Sequence, residues 1–422
     1  ITTLDVNTQK AAEQAADAKL AGLDDNLELA MVAVDPDTGF IRAMIGGRDY
    51  DTDEFNLATQ AKRQPGSSFK TFTLLAALND GVSPDTNLNC TSHVNIDGWE
   101  VENYGGSNYG TRSIASAFAV SSNTGFAELC TEIGPEKVVE MANTCGIEED
   151  LEAYPSITLG AQEVTVREMA QAYATIANGG TKHEATCIQS ITDSSGNVIF
   201  NADTTGEKVL DTALTQAATE VMEGVITNGT GRGAAISNGQ PAAGKTGTSE
   251  NWRDKWFCGI TPQMSVAIWI GGREEVRMPS YVAADDVFGD FMSTILEGQP
   301  IEQFPTSDEE LECTTHDFGH GEGATGEAPE HEGDTVTTPD SEETDSESSD
   351  ISTGTGGSGS GTGSGGSGET PTQPGGGGST GGGAGGSGGD TGGGGETPTQ
   401  PGGGGETPTD PSTQALYVRR VA

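Results

Sequence analysis

Apolar positions recur at helical spacing in VNTQKAAEQAADAKLA (6–21), where Ala and Leu stand among polar residues, and this predicts an amphipathic helix. LELAMVAVD then reads as a strand, and the Asp35-Pro36-Asp37-Thr38-Gly39 turn leads into FIRAMIGG, which predicts an antiparallel hairpin. Over 66–82, GSSFKTFTLLAALNDG is again helical in period until Gly81 stops it. Further helices are predicted at 113–131, 135–144, 164–178 and 211–227, each ended by Gly or Asn. After Gly239, three apolar runs, AAGKTGTS, KWFCGIT and MSVAIWIGG, read as successive strands of one antiparallel sheet. Together with the hairpin they make about five strands flanked by helices, an α+β arrangement.

The pattern stops at about residue 305. An acidic stretch gives way to Gly/Ser/Thr repeats in which GETPTQPGGGG occurs at 368–378 and again at 395–405. With Phe318 and Tyr417 as its only aromatics, this part cannot offset its ordering entropy, and the composition predicts disorder. The expected organisation is a folded domain over 1–305, an acidic linker over 306–350 and a low-complexity tail over 351–422. The closing LYVRRVA is a small basic and apolar exception to which the pattern assigns nothing.

Charge narrows the partners. The chain carries 64 acidic against 20 Lys and Arg residues, and both parts are acidic: 42 against 18 over 1–300, 22 against 2 over 301–422. Phosphate binding needs a basic surface, so nucleic acid and a polyanionic membrane surface are both disfavoured. No apolar run is long enough to span a bilayer, and no charged-then-apolar leader precedes Ile1, so the chain is expected to be a piece whose membrane anchor lies upstream. Six cysteines (Cys90, Cys130, Cys145, Cys187, Cys258, Cys313) lack metal-ligand spacing, and no metal or cofactor is expected. They read equally as buried thiols or as disulfides of a secreted domain.

The candidate chemistry lies in three short motifs: Ser67-Ser68-Phe69-Lys70, Ser121-Ser122-Asn123 and Lys245-Thr246-Gly247-Thr248. Alone, each is common; in this order, with two on predicted helices and the last on a predicted strand, they form the SxxK, SxN, KTG set of penicillin-recognising serine enzymes. Ser and Lys at i, i+3 share a helix face, so the Lys70 amine falls beside the Ser67 hydroxyl. A serine hydroxyl is a poor nucleophile without a base. Lys70 becomes one if burial and a second cation, Lys245, disfavour its charged form. Ser121 is placed to pass a proton to the departing amine, and Asn123 to hold a substrate amide. Gly247 removes a side chain from its strand so that substrate backbone approaches closely, while Lys245, Thr246 and Thr248 bind a terminal carboxylate. The backbone N–H groups of Ser67 and Thr248 are the expected oxyanion hole.

The surrounding text resembles the transpeptidase domain of class A penicillin-binding proteins. VAVDPDTGFIRAMIGGRDYDTDEFNLATQAKRQPGSSFK is similar to that family's entry strands and active-site helix, and LGAQEVTVREMAQAYATIANGG, NGTGRGAA and GKTGTSENWRDKWFCGITPQMSVAIWIGG to further stretches, so the resemblance covers about residues 1–300. It implies a β-lactamase/transpeptidase-like fold and a D-Ala-D-Ala transpeptidase. Peptidoglycan stem peptides serve as donor and as acceptor amine, and β-lactams acylate Ser67. It also implies an extracytoplasmic, membrane-anchored protein whose glycosyltransferase domain lies outside this chain, and the long tail suggests a Gram-positive surface. Leu57 stands where family members often have Arg, a departure expected to touch only surface contacts.

Rival readings share the acylation step. A class A β-lactamase needs a water-holding Glu followed by Leu-Asn; Glu148 has Leu151 three residues on, but Glu152 follows, and Ser122 stands where those enzymes have Asp. A D,D-carboxypeptidase gives the acyl group to water, and a β-lactam sensor needs a signalling partner domain. Trp269 reads as core, whereas Trp252 and Trp256 flank a turn near Thr248 and are candidates to border the cleft.

Overall fold

The computed structural model describes residues 1–274 and 276–318. The first helix, α1 (Val6–Leu20), is capped by Asp5, whose carboxylate accepts from the Asn7 and Thr8 amides at 3.1 and 2.8 Å. β1 (Leu27–Val34) and β2 (Ile41–Ile45) form the expected hairpin. Three later strands, β3 (Ala243–Thr248), β4 (Asp254–Thr261) and β5 (Met264–Gly272), complete a five-stranded antiparallel sheet in the order β3-β4-β5-β1-β2. Strands from the first 45 residues and from residues 243–272 thus meet in one sheet, with β5 paired along all of β1.

Strand alternation divides the core into two layers. Leu27, Leu29, Met31 and Ala33 face one side with α1 and α8 (Asp285–Ile295), while Ala30, Val32 and Val34 face the other. On that second side lie α2 (Lys70–Asn79), α4 (Asn123–Ile133), α5 (Pro135–Cys145), α6 (Val166–Ala177) and α7 (Thr212–Thr227). α2 is buried from Lys70 to Leu78, as a helix with so little polar surface requires. Its approach is fixed by Tyr173 of α6, whose hydroxyl donates to the Ser68 carbonyl at 2.8 Å and shares a 2.6 Å hydrogen bond with Thr71.

The structure departs from the sequence reading at several points. The single helix expected over 113–131 is two, α3 (Ile114–Ala119) and α4, because Ser121 takes a left-handed backbone (φ 60°) and Ser122 caps α4 by accepting from the Gly125 amide. Leu57 is buried in the core rather than at the surface, its amide donating to the Gly46 carbonyl. Trp256 is buried with Trp269, its indole N–H donating to the Gln64 carbonyl at 2.8 Å, so of the two tryptophans expected to border the cleft Trp252 alone is half-buried. All six cysteines are unpaired thiols, four of them buried, in favour of the buried-thiol reading.

The expected boundary at 305 is also early. Residues 306–318 fold back along the domain: Leu311, Cys313 and Phe318 pack against the larger core, and the Thr314 amide and carbonyl bond Gly81 and Ser83 at 2.8 Å each. Acidic composition hid three apolar anchors within this segment. The rest of the expected linker and the low-complexity tail lie outside the described residues.

A seam between β3 and the turn before α2 positions everything described below. That turn, Gly66–Phe69, is a short 3-10 helix running directly into α2. Gly66 (φ 56°) lies so close to β3 that a Cβ on it would stand 2.4 Å from the Thr248 carbonyl oxygen. A Cβ on Gly247 would stand 2.3 Å from the Pro65 carbonyl oxygen and 2.8 Å from the Trp256 Cβ. The bare face of Gly247 is therefore filled by the protein's own backbone, not kept for substrate as the motif suggested.

Gly247→Ala is expected to push β3 off this turn, costing about 1–3 kcal/mol as overpacking does and lowering the thermal midpoint by a few degrees; an unchanged melt would mean that the seam tolerates a methyl group. Ending the chain at 305 instead of 318 should cost on the order of 2 kcal/mol from lost apolar burial, read as a lower midpoint in paired denaturant melts.

Candidate active site

Five side chains expected from the sequence converge. Lys70 Nζ donates to Ser67 Oγ at 3.0 Å, the Ser121 carbonyl at 2.9 Å, Asn123 Oδ1 at 2.7 Å and, more weakly, Ser121 Oγ at 3.4 Å. Lys245 Nζ approaches from β3 and donates to the same Ser121 Oγ at 2.8 Å. Ser121 therefore stands between two amines, and its left-handed backbone turns both its carbonyl and its hydroxyl toward them. Such a conformation in a non-glycine residue costs free energy that the surrounding structure must offset.

Both amines are fully buried, and neither ion-pairs with a carboxylate among the described residues. Burial is the main cause that pulls Lys70 well below the ordinary lysine value, and the charge of Lys245 adds to it. Burial also pushes Lys245 down, to about 7. Each ammonium has an aromatic face nearby, Phe126 at 5.9 Å from Lys70 and Phe118 at 5.3 Å from Lys245.

The remaining motif residues line β3. Thr246 Oγ1 shares a 2.6 Å hydrogen bond with Thr230 Oγ1. Thr248 Oγ1 accepts from Lys255 Nζ at 3.3 Å. The contact of Gly66 with the Thr248 peptide sets the backbones of Ser67 and Thr248 side by side, as an oxyanion site built from their amides requires. Asn123 Oδ1 accepts from Lys70, and one Nδ2 hydrogen is donated to the Glu102 carbonyl at 2.9 Å, which leaves the second Nδ2 hydrogen for the substrate amide expected there.

Several contributors were missed by the sequence reading. Asn103, itself buried, is the hub beneath the second motif: its Oδ1 accepts from the Asn123 amide at 2.7 Å and the Thr124 amide at 3.2 Å, while its Nδ2 donates to the carbonyls of Cys90, Thr91 and Ser107. No local pattern marks an asparagine for that position. Thr230 lay inside the quoted NGTGRGAA stretch without a role. Tyr104, from the loop after the Trp99–Glu102 strand, stacks on Trp252 with ring centroids 5.0 Å apart, and the Arg277 guanidinium lies 4.3 Å from the Trp252 ring centre. This stack joins the wall that carries the second motif to the wall that carries β3. Glu148 lies elsewhere, paired with Arg167 at 2.9 Å, and among the described residues no carboxylate is a hydrogen-bond partner of Ser67, Lys70, Ser121 or Lys245.

Comparison with known proteins agrees with this geometry. Residues 29–293 match the penicillin binding protein transpeptidase domain. Penicillin-binding protein 1A of Mycolicibacterium smegmatis is 34% identical over 336 residues, which cover 72% of this chain and 42% of that protein. The chain thus spans under half the length of this curated relative. The solved penicillin-binding protein PonA1 from Mycobacterium tuberculosis is 31% identical with a TM-score of 0.69, covering 75% of this chain and 89% of that one. Its complex with penicillin V aligns with a TM-score of 0.68 at the same identity, covering 75% and 90%. With the family's fold, its domain match across most of the described residues and its three motifs meeting at Ser121, the chain belongs to the penicillin-binding protein transpeptidase family.

Proposed function

We propose that this domain is a serine D,D-transpeptidase that cross-links peptidoglycan stem peptides through an acyl-enzyme on Ser67. The observation that carries the reading is the Lys70 amine, buried, held 3.0 Å from Ser67 Oγ and biased toward its neutral form by burial and by Lys245. A neutral amine there accepts the Ser67 proton as Oγ attacks the carbonyl carbon of the D-Ala-D-Ala bond. The Oγ–C bond forms, and charge gathers on the carbonyl oxygen, which the Ser67 and Thr248 amides stabilise. The C–N bond then breaks. D-alanine leaves as its amine, taking a proton through Ser121, whose hydroxyl touches both Lys70 and Lys245. An amine from a neighbouring stem attacks the ester and releases the cross-linked product.

Thr246, Thr248 and Lys245 suit the donor's terminal carboxylate. A β-lactam presents a reactive amide beside a carboxylate and acylates the same serine; the relative solved with penicillin V supports this. Among the described residues, hydrogen-bond partners that include no carboxylate at the reacting groups favour a long-lived acyl-enzyme over β-lactamase turnover. Stem peptides lie outside the cytoplasmic membrane, so the domain works there, held by an anchor in the longer protein, with a Gram-positive surface as the finer reading. No helix among the described residues is long and apolar enough to cross a membrane.

Incubation with a penicillin should give a stable one-penicillin adduct that peptide mapping assigns to Ser67; Ser67→Ala should give none, and robust labelling of that variant would move the nucleophile elsewhere. Lys70→Ala should slow acylation by about 10²–10⁴-fold, the usual worth of a positioned base. The pH profile carries a sign. Protonation of Lys70 stops acylation as pH falls, and Lys245 lowers the Lys70 value, so Lys245→Gln should move the acid limb to higher pH. An unmoved limb would mean that another group is the base.

A further inference from the structure

A third buried lysine stands at the outer end of the cleft. Lys255, the second residue of β4, lies directly across from Thr248 on β3, so the two side chains share one face of the sheet. Its ammonium has two described partners, the Thr248 hydroxyl at 3.3 Å and the Tyr104 ring at 6.0 Å. Both are neutral. No carboxylate among the described residues ion-pairs with it, although the side chain is only 9% exposed and its neighbour Asp254 is committed to Ser249 and Trp269. A cation held away from water without a counter-ion is costly, and a protein keeps one where an anion is to arrive. Burial lowers its proton affinity accordingly.

What the anion is follows from position. Thr248 Oγ1 is one of the two hydroxyls assigned above to the donor's terminal carboxylate, and Lys255 Nζ already touches it. Tyr104, stacked on Trp252, closes the space beyond.

Resting on the transpeptidase reading, we propose that Lys255 is a substrate-binding residue that pairs with the terminal carboxylate of the stem-peptide donor and with the corresponding carboxylate of β-lactams. Lys245 is thereby left to the proton chemistry around Ser121, and the charge recognition of the donor falls mainly to Lys255.

The test compares a penicillin with its carboxylate methyl ester by time-resolved intact mass on wild type, Lys255→Met and Lys255→Arg. Lys255→Met keeps the aliphatic stem and removes the charge. It should slow acylation by the free acid about tenfold to a hundredfold, the worth of a charge-assisted hydrogen bond, chiefly through weaker saturation. Its rate with the ester should stay within about twofold of wild type, and Lys255→Arg should keep the acid preference, since a guanidinium also binds a carboxylate. An acid-to-ester ratio that is the same in wild type and Lys255→Met overturns the proposal, as does an equal loss with both compounds, which would mark Lys255 as structural. Wild type that labels normally at Ser67 in either case leaves the transpeptidase reading standing; wild type that labels with neither compound sinks that reading and the carboxylate assignment together.

Discussion

Two buried ammonium groups sharing one serine hydroxyl are the constraint on which the rest of this structure depends. Removing Lys70 and Lys245 from water without a carboxylate partner disfavours their charged forms, and mutual repulsion works in the same direction for Lys70. The chain meets this cost by surrounding the Lys70 amine with acceptors that a lysine's three donor positions can use. Supplying those acceptors requires a helix break at Ser121 and a buried asparagine, Asn103, to hold the break in shape. Each device is local, yet together they draw in α2, α4 and the edge of the sheet.

Rigidity at the site comes from close approach. α2 is held from behind by Tyr173 and from the front by β3, where two glycines let backbone meet backbone. Ser67, the nucleophile in the proposed reaction, is therefore fixed against the sheet edge rather than carried on a loop, which suits catalysis that relies on preorganised dipoles. The protein as a whole is strongly acidic, at −44, while its cleft gathers three lysines with no acid paired to them among the described residues.

Much of this was legible in the chain. Strand alternation and helical periodicity gave the hairpin, the three later strands and most helices, because each element buries one continuous face and must repeat with that element's period. The three motifs named the side chains that converge, since the proposed serine needs a base one helical turn away and an anion site opposite it. The departures have a common cause. Ser121-Ser122-Asn123 looks helical to any windowed pattern, whereas the break there is held by distant partners, Lys70 and Lys245 on Ser121 and Asn103 on the Asn123 and Thr124 amides.

By itself, then, the sequence determined the α+β class, the order of elements and the identity of the serine and lysine pair, because these follow from periodicity and from spacing within a single turn. Tertiary structure alone decided that Asn103 underlies the second motif, that Gly247 faces protein backbone, that residues 306–318 belong to the domain and that Lys255 lies beside Thr248. Each of these depends on which distant segments meet in space. Contacts of that kind are set by the packing of whole layers, and no local window of residues contains them.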